Sequence, residues 1–258
     1  MDIEIDLTKS IDENAAVYFE LAKKAKKKLE GAKDALLDSK KKLEKLRKEE
    51  ATFFQVEEKK KEKKEYKREW YEKFHWFFSS EDFLCIGGKD STSNEVLIKK
   101  HLEKDDLVFH TDMSGSPFFI IKNGQKASEK TKEEAAQGVA IYSRAWKLGH
   151  TTAEVFCVNP TQVSKEAKAG EFVSKGSFMI YGKKEYYHPT LSCTIGVKDE
   201  RIIGGPTLAI NTPKMVTVVP GDEKKSTLAK KVKAKLGQVD LDEIMFFLPS
   251  GEGQIERK

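Results

Sequence analysis

The chain has 258 residues, 38% hydrophobic and 34% charged, and a formal net charge of +5. That length accommodates one or two domains, but the composition is too polar for a single fully globular core of that size. With no apolar run of the roughly 20 residues a membrane-crossing helix needs and no signal-like segment behind Met1, the sequence argues against membrane insertion and secretion, and the expectation is a soluble, cytoplasmic chain.

The positive charge is concentrated near the start. Between Lys23 and Lys48 stand twelve Lys/Arg against four Asp/Glu, a local net of +8. Such an excess binds polyanions by releasing condensed counterions, with steep salt dependence, and it equally describes the solvated face of a coiled coil. Cys85, Cys157 and Cys193 are far apart, odd in number and outside any Cys-x-x-Cys or Cys/His ligand spacing, which fits a reducing compartment.

Ser10 with Glu13 has the form of a capping box and starts a helix. Tyr18, Ala22, Ala25, Leu29, Ala32, Leu36, Ser39, Leu43 and Leu46 then fall at alternating spacings of four and three, a heptad seam that predicts a coiled coil. Ala51-Thr52-Phe53-Phe54-Gln55-Val56 reads as a turn, and a second helix over residues 57–78 places Tyr66, Trp70, Phe74 and Phe77 on one face, so the simplest arrangement is an antiparallel hairpin. Phe53 and Phe54 at its tip either close the seam by packing on each other or form a surface that docks on a partner. At about 1.5 Å per residue the first helix would extend roughly 60 Å and the second roughly 33 Å, leaving residues 10 to about 30 without a partner in the hairpin. Together with the strand-like alternation of Asp2-Ile3-Glu4-Ile5-Asp6-Leu7, this suggests a truncated chain.

The remaining residues read as one α+β domain. β-type runs lie at Phe83–Ile86, Leu107–His110, Phe118–Ile121, Ala153–Val158, Ser177–Tyr181, Thr207–Ile210 and Met215–Val219. Thr131 with Glu134 suggests a second capping box, for a helix carrying Ala135, Val139, Tyr142 and Trp146 and stopping at Gly149. Another helix is expected from about Ser226 to Leu236, with Lys230, Lys231, Lys233 and Lys235 along it. Strands outnumber helices, so the expected fold is α+β: an antiparallel coiled-coil hairpin over 1–80, a globular domain with a mostly antiparallel or mixed sheet over 81–198, and a C-terminal extension over 199–258 packed on that domain.

His110, Asp112 and Ser116 include the residue types of a hydrolase triad, but a serine just past a glycine turn cannot be placed by spacing. The segment reads better as polar groups facing a ligand, or as a buried histidine satisfied by its neighbours, and no enzyme activity is expected. His75, His101, His150 and His188 show no ligand spacing, so neither a metal nor a cofactor is expected. Gly87-Gly88-Lys89 and Gly204-Gly205-Pro206 lack phosphate-loop spacing and are expected to be hairpin or bulge turns. From Gly176 to His188, lysines interleave with aromatics, which suits single-stranded or looped RNA and also suits a core strand followed by a solvated lysine pair.

The ordered run Glu69-Trp70-Tyr71-Glu72-Lys73-Phe74, Phe78-Ser79-Ser80-Glu81, Ile86-Gly87-Gly88-Lys89-Asp90, Asn94-Glu95, Asp106-Leu107-Val108-Phe109-His110 and Gly115-Ser116-Pro117 closely resembles the NFACT family of ribosome quality control factors. Gln162-Val163-Ser164-Lys165, Gly170-Glu171-Phe172 and Gly176-Ser177-Phe178-Met179-Ile180 extend the likeness, and Ser10-Ile11-Asp12-Glu13-Asn14-Ala15 is similar to the family's coiled-coil start. The tail, with Gly204-Gly205-Pro206 and Leu248-Pro249-Ser250-Gly251, is most similar to archaeal members. The resemblance implies a factor that binds large ribosomal subunits carrying stalled peptidyl-tRNA and promotes template-free extension of the nascent chain. It also implies that the domain after the coiled coil is the family's RNA-binding module, NFACT-R, which helps hold tRNA, and that the N-terminal NFACT-N domain is missing from this sequence.

On these grounds Lys89, His110, Arg144, Lys183 and Lys184 are the expected RNA contacts, with tRNA and rRNA as partners, and Phe53 and Phe54 the expected partner contacts at the tip. Pairing of two copies through the coiled coil remains open at this point. The alternative reading is a coiled-coil protein-interaction scaffold whose lysines only solubilise it, and salt dependence separates the two.

Overall fold

A computed structural model of the chain describes residues 3–62, 69–166 and 173–256, with backbone alone for 48–62. The chain divides into two compact units, residues 1–67 and 68–258. The division falls at 67/68 rather than 80/81, because residues 75–78 belong to a sheet of the second unit.

In the first unit, α1 (Ile11–Glu62) is a single helix of 52 residues. It begins as the capping box predicts: the Ser10 N–H donates to Glu13 Oε2 at 2.8 Å and the Glu13 N–H to Ser10 Oγ at 3.3 Å. The preceding residues are not a strand. They fold back on the helix start, where Asn14 Oδ1 accepts from the Asp6 N–H (2.9 Å), the Asn14 amide donates to the Asp6 carbonyl (3.0 Å), and the Tyr18 hydroxyl donates to the Glu4 carbonyl (2.6 Å).

The turn expected at 51–56 is helical, so the described residues form no antiparallel hairpin. That stretch contains no Gly or Pro, and good helix formers flank it, so nothing in it stops propagation. The side chains of Phe53 and Phe54 lie outside the described residues. Along the seam Leu29, Leu36, Leu43 and Leu46 are 52–61% exposed.

The second half of the expected second helix is also replaced. Trp70–Lys73 makes one 3-10 turn, and β1 (His75–Phe78) follows, with Phe77 buried and Phe78 exposed. A run of four aromatic residues suits a pleated, half-buried surface better than a helix interior.

In the second unit, β1 joins β2 (Leu84–Gly87), β3 (Leu107–His110), β4 (Phe119–Ile121), β5 (Val155–Val158) and, passing two short strands, β8 (Glu185–Tyr187) in the order β1-β2-β4-β3-β5-β8. Every pairing is antiparallel. The short pair is β6 (Val163–Ser164) with β7 (Met179–Ile180). A second antiparallel sheet of order β10-β9-β11-β12 is built from β9 (Cys193–Lys198), β10 (Arg201–Pro206), β11 (Met215–Glu223) and β12 (Gly253–Ile255).

The two-residue period of the strands divides the core. One set of alternate side chains in the larger sheet, Phe77, Cys85, Phe119, Phe109 and Cys157, meets α3 (Glu129–Tyr142). The other set, Ile86, Ile120, Val108 and Phe156, packs with Leu97 and Ile98 of α2 (Ser91–His101). Because α3 also contacts β10, it is covered on both sides, and nine of its fourteen residues are buried. Among them Gln137 is satisfied through the Thr190 carbonyl (3.0 Å) and the Leu208 N–H (3.0 Å). The second sheet is covered in turn by α5 (Lys225–Leu236) and α6 (Leu241–Phe247).

Three local expectations are corrected. The helix over 129–142 starts after Ser128, which makes no side-chain cap and donates its hydroxyl to Glu81 (2.7 Å), and Thr131 and Glu134 form no capping box; Thr131 instead bonds Glu81 Oε2 (2.6 Å), and Glu134 accepts the Ser80 N–H (2.8 Å), so both tie the helix to the β1–β2 turn. Gly204-Gly205-Pro206 is the end of β10 rather than a turn, because a Cβ on Gly204 would stand 2.6 Å from the Phe247 Cβ and only glycine lets α6 close on the strand. Residues 207–210 form a turn where a strand was expected. No helix among the described residues is long and apolar enough to cross a membrane.

Candidate functional site

The concavity that gathers most of the chain's polar motifs lies at one end of the larger sheet, where β2 runs into α2 and β3 runs into the loop before β4. Its volume is about 430 Å³, and its walls are residues 88–91 with Asn94, the 110–118 segment, residues 175–178 and Tyr142.

Each wall has a local cause. Asp90 caps α2 by accepting the Ser93 N–H at 2.7 Å, while Ser93 Oγ accepts the Asp90 and Lys89 N–H groups at 2.8 Å, which fixes the Gly88-Lys89-Asp90 turn. In the second wall the Thr111 and Ser116 hydroxyls bond each other at 2.6 Å, the Ser116 hydroxyl donates to the Met113 carbonyl (2.9 Å), and the Met113 N–H donates to Thr111 Oγ1 (3.1 Å). These two walls are clipped together, since the Gly88 N–H donates to the Phe118 carbonyl (3.0 Å) and the Phe118 N–H donates to Asn94 Oδ1 (3.1 Å).

The third wall is held from below. Lys165 Nζ donates to the Ser174 and Ser177 carbonyls (2.8 and 3.0 Å) and to Glu95 (3.1 Å), and the Gly176 N–H donates to the same carboxylate (2.8 Å). Lys99, with the Gly176 N–H and Lys165, holds the Glu95 carboxyl down at about 2. Gly176 is required here: its φ is +76°, and a Cβ would lie 2.4 Å from the Ser91 Cα.

His110 and Phe118 stack with centroids 3.9 Å apart and planes at 16°. Burial lowers the His110 pKa to about 4, so the ring is neutral at pH 7; its Nε2 sits 3.2 Å from the Ser116 carbonyl. Tyr142 carries a second stack, His75 at 3.7 Å and 13°, whose pKa burial and the charges of Lys89 and Lys225 lower to about 3. His110, Asp112 and Ser116 do not form a relay, because the imidazole faces the Ser116 carbonyl and the hydroxyl faces Thr111 and Met113. Among the described residues no cluster of His, Cys, Asp or Glu is arranged to hold a metal ion.

Of the five residues expected to touch RNA, Lys89 and His110 line the cleft. Lys89 Nζ stands 3.8 Å over the Phe246 ring of α6. Arg144, exposed at the start of α4 (Arg144–Lys147), flanks Gly115 on the rim. Lys184 is joined to the cleft through Asp112 (2.6 Å) and lies 4.0 Å over the Phe156 ring. Lys183 is exposed in a neighbouring groove of about 550 Å³ that Lys184 and Lys132 also line. Lys175 was not singled out by sequence reasoning, and Asn94 entered only through the Asn94-Glu95 motif, not as a site residue. The signal for Lys175 was its place immediately before Gly176, one residue outside the aromatic and lysine run.

Residues 73–182 match the family described as NFACT protein RNA binding domain. An archaeal Rqc2 homolog, aRqcH, of Methanocaldococcus jannaschii is 40% identical over 201 residues, which is 74% of this chain and 30% of that protein. Ribosome quality control complex subunit NEMF of Homo sapiens is 37% identical over 183 residues, 69% of this chain and 16% of its own length. Ribosome quality control complex subunit 2 of Schizosaccharomyces pombe is 32% identical over 196 residues, 73% and 19%. The chain therefore spans less than a third of the length of each of these relatives. Among solved structures, the C-terminal part of a fibronectin/fibrinogen-binding protein of Streptococcus suis overlaps 50% of this chain and 48% of its own at 20% identity with a TM-score of 0.40.

Proposed function

Because the chain belongs to the NFACT family and carries that family's RNA-binding domain at residues 73–182, we propose that it supplies RNA and ribosome contacts to a ribosome quality control factor in the cytoplasm. In this reading the chain binds tRNA and the rRNA of the large ribosomal subunit at complexes stalled with a nascent chain, and it contributes binding rather than catalysis. The observation that carries it is the cleft: the turn bearing Lys89 and the segment bearing His110 converge there, inside the matched span, with Arg144 on its rim and Lys183 and Lys184 in the adjoining groove.

Lysines held by a pre-formed loop neutralise phosphates, and half-exposed rings beside them stack on unpaired bases. Phe178 is packed edge-on to Phe118, whereas Tyr181 and Tyr186 are 37% and 46% exposed, so the aromatic run divides into a supporting ring and two accessible ones.

The experiment is binding of the whole chain to tRNA and to purified large ribosomal subunits across a salt series, with Lys183→Gln and Lys184→Gln variants. Expected is binding whose logarithm falls linearly with log salt, with a shallower slope in the variants. Salt-insensitive binding, or an unchanged slope, rejects these residues as phosphate contacts.

The exposed Leu29, Leu36, Leu43 and Leu46 of α1 favour a second reading, in which that helix pairs with another, in a second copy or in a partner, and the chain acts as a scaffold. Association through such a seam tolerates salt, so the same series separates the readings.

A further inference from the structure

We propose that the exposed indole of Trp70 is a stacking platform for an unpaired RNA base, a contact separate from the cleft and outside the matched span 73–182. It rests on the RNA-binding reading above and adds a second point of contact to it.

The ring is held where a base could reach it. Trp70 opens the 3-10 turn near the start of the second unit and is 43% exposed, whereas Trp146 is buried. His101, the last residue of α2, covers one face of the indole, with centroids 4.3 Å apart and planes at 15°. Tyr71 and buried Phe74 meet the indole edge-on at 5.9 and 6.5 Å, and Phe74 stands edge-on to His101 at 5.7 Å. The His101 carbonyl is fixed in turn by Lys122 Nζ, which donates to it at 2.9 Å. Tryptophan is highly buried on average, so an indole pinned by three rings and still open to solvent is presented rather than packed away. Because packing has already ordered it, binding does not have to.

Charge separates a base from a cationic side chain, since both bind to indole faces. Burial, and after it the charges of Lys73, Lys122 and Lys100, lowers the His101 pKa, so a neutral imidazole backs the indole and the charges that reach the stack are positive. Lys122 is shared by Asp106 (2.7 Å) and Glu103 (3.3 Å) and has nothing further to offer a ligand. Lys73 and Lys100 are exposed and in no ion pair among the described residues, Glu72 is held by Arg201 (3.2 Å), and Glu69 is exposed. A partner's lysine or arginine would meet those two ammoniums, whereas a base brings no charge to the ring and its flanking phosphates can be neutralised by Lys73 or Lys100. The Glu69 carboxylate opposes this second effect, so stacking is the larger part of the contact.

In a duplex the faces of the bases are covered by their neighbours, so the platform selects single strands and loops. It is also distinct from the cleft. Ser91 lines the cleft at the start of α2, and His101 lies ten residues further on, roughly 15 Å along the helix.

The test measures binding of a short single-stranded RNA and of an RNA duplex to the whole chain by fluorescence anisotropy across a salt series, with the Trp70 indole N–H resonance as a local readout. Expected is that the single strand shifts this resonance and the duplex does not. Trp70→Leu should weaken the single strand about fivefold or more at an unchanged salt slope, whereas Trp70→Phe, which keeps a ring on His101, should lose no more than about twofold. Lys100→Gln should lower the slope by about 0.7. Because Trp70→Leu also removes packing from His101, the resonance of the parent chain decides independently of that variant. Single-strand binding that leaves the resonance unmoved overturns the platform and leaves the RNA-binding reading standing. No binding of any RNA by the parent removes that reading as well. A Trp70→Leu chain that loses affinity for large ribosomal subunits but not for the short RNA overturns base stacking in favour of a protein contact.

Discussion

His75 and His110 are each pressed flat against another ring, at 3.7 Å and 3.9 Å, and burial holds both neutral, at about 3 and about 4. An unfolded histidine takes its proton near pH 6.5, so between about 6.5 and 4 the unfolded chain binds protons that the folded chain refuses, and stability falls as the pH drops through that window. Each ring contributes up to about 1.4 kcal/mol per pH unit there. Glu95, held near 2 by Lys99, Gly176 and Lys165, acts in the same direction but lower, since its contribution is present above the ordinary carboxylate range and is lost only as the pH falls below it. Urea midpoints read through buried Trp146 should drop between pH 7 and pH 5, and His110→Phe should lessen the drop. An equal drop in that variant would show that the His110 imidazole is not a source of it. A second expectation concerns Phe246, which underlies the Lys89 ammonium at 3.8 Å although it lies outside the matched span 73–182. Phe246→Leu removes the ring quadrupole but keeps apolar bulk, and it should weaken RNA binding by about threefold, the worth of a partly exposed cation–π contact, while the thermal midpoint stays nearly constant. Unaltered affinity would mean that the ring does not position Lys89 for RNA.

The elements differ in how openly the sequence declares them, and glycine tests the difference. Gly204 sits in β10 with Phe247 where its Cβ would be, so Gly204→Val should displace α6 and cost about 1–3 kcal/mol, as overpacked cores do, measured by chemical denaturation. Gly31 in α1 has nothing within 4 Å of the same position, so Gly31→Ala should add helicity and about 1 kcal/mol, seen by circular dichroism on heating. A neutral Gly204→Val would reject the close packing. In sequence both glycines look like interruptions, because a close approach between distant segments leaves no local mark. Where local rules decide, the pattern was legible: the Ser10–Glu13 box starts α1, β3 spans the expected Leu107–His110, and α5 lies within one residue of the expected helix. Where two patterns compete, it was not. Trp70, Phe74 and Phe77 are spaced four and three apart like one face of a helix, yet β1 takes His75–Phe78 because β2 offers a partner. Thr131 and Glu134 have capping-box spacing but spend their hydrogen bonds on the β1–β2 turn. At the site, Lys89 and His110 were readable as polar residues at strand ends, whereas Lys175 becomes part of it only because Gly176 packs against Ser91.

At the scale of the whole molecule, positive charge is distributed over both units, and the two distributions have different consequences. The Lys23–Lys48 stretch of α1 carries a net +8, and the side chains of residues 23–47 are exposed along one helix. Lys89, Lys175, Lys183 and Lys184 instead line concave surfaces beside aromatic rings. Counterion release makes both contribute to the salt slope of binding, and the second set adds a concave surface bordered by the Phe118, Tyr142 and Phe178 rings, which suits unpaired bases. Replacing four α1 lysines, Lys24, Lys27, Lys41 and Lys45, by glutamine should therefore flatten the salt dependence of binding to large ribosomal subunits while leaving a short single-stranded RNA unaffected. Replacing Lys175 and Lys183 should act on the short RNA, lowering its slope by about 0.7 for each phosphate that is no longer neutralised. Fluorescence anisotropy across a salt series on both ligands measures all four slopes. Equal weakening on both ligands from either set would mean that charge alone drives recognition and that the shape of the cleft adds nothing. Separate effects would assign the helix to a long polyanionic surface and the cleft to unpaired RNA.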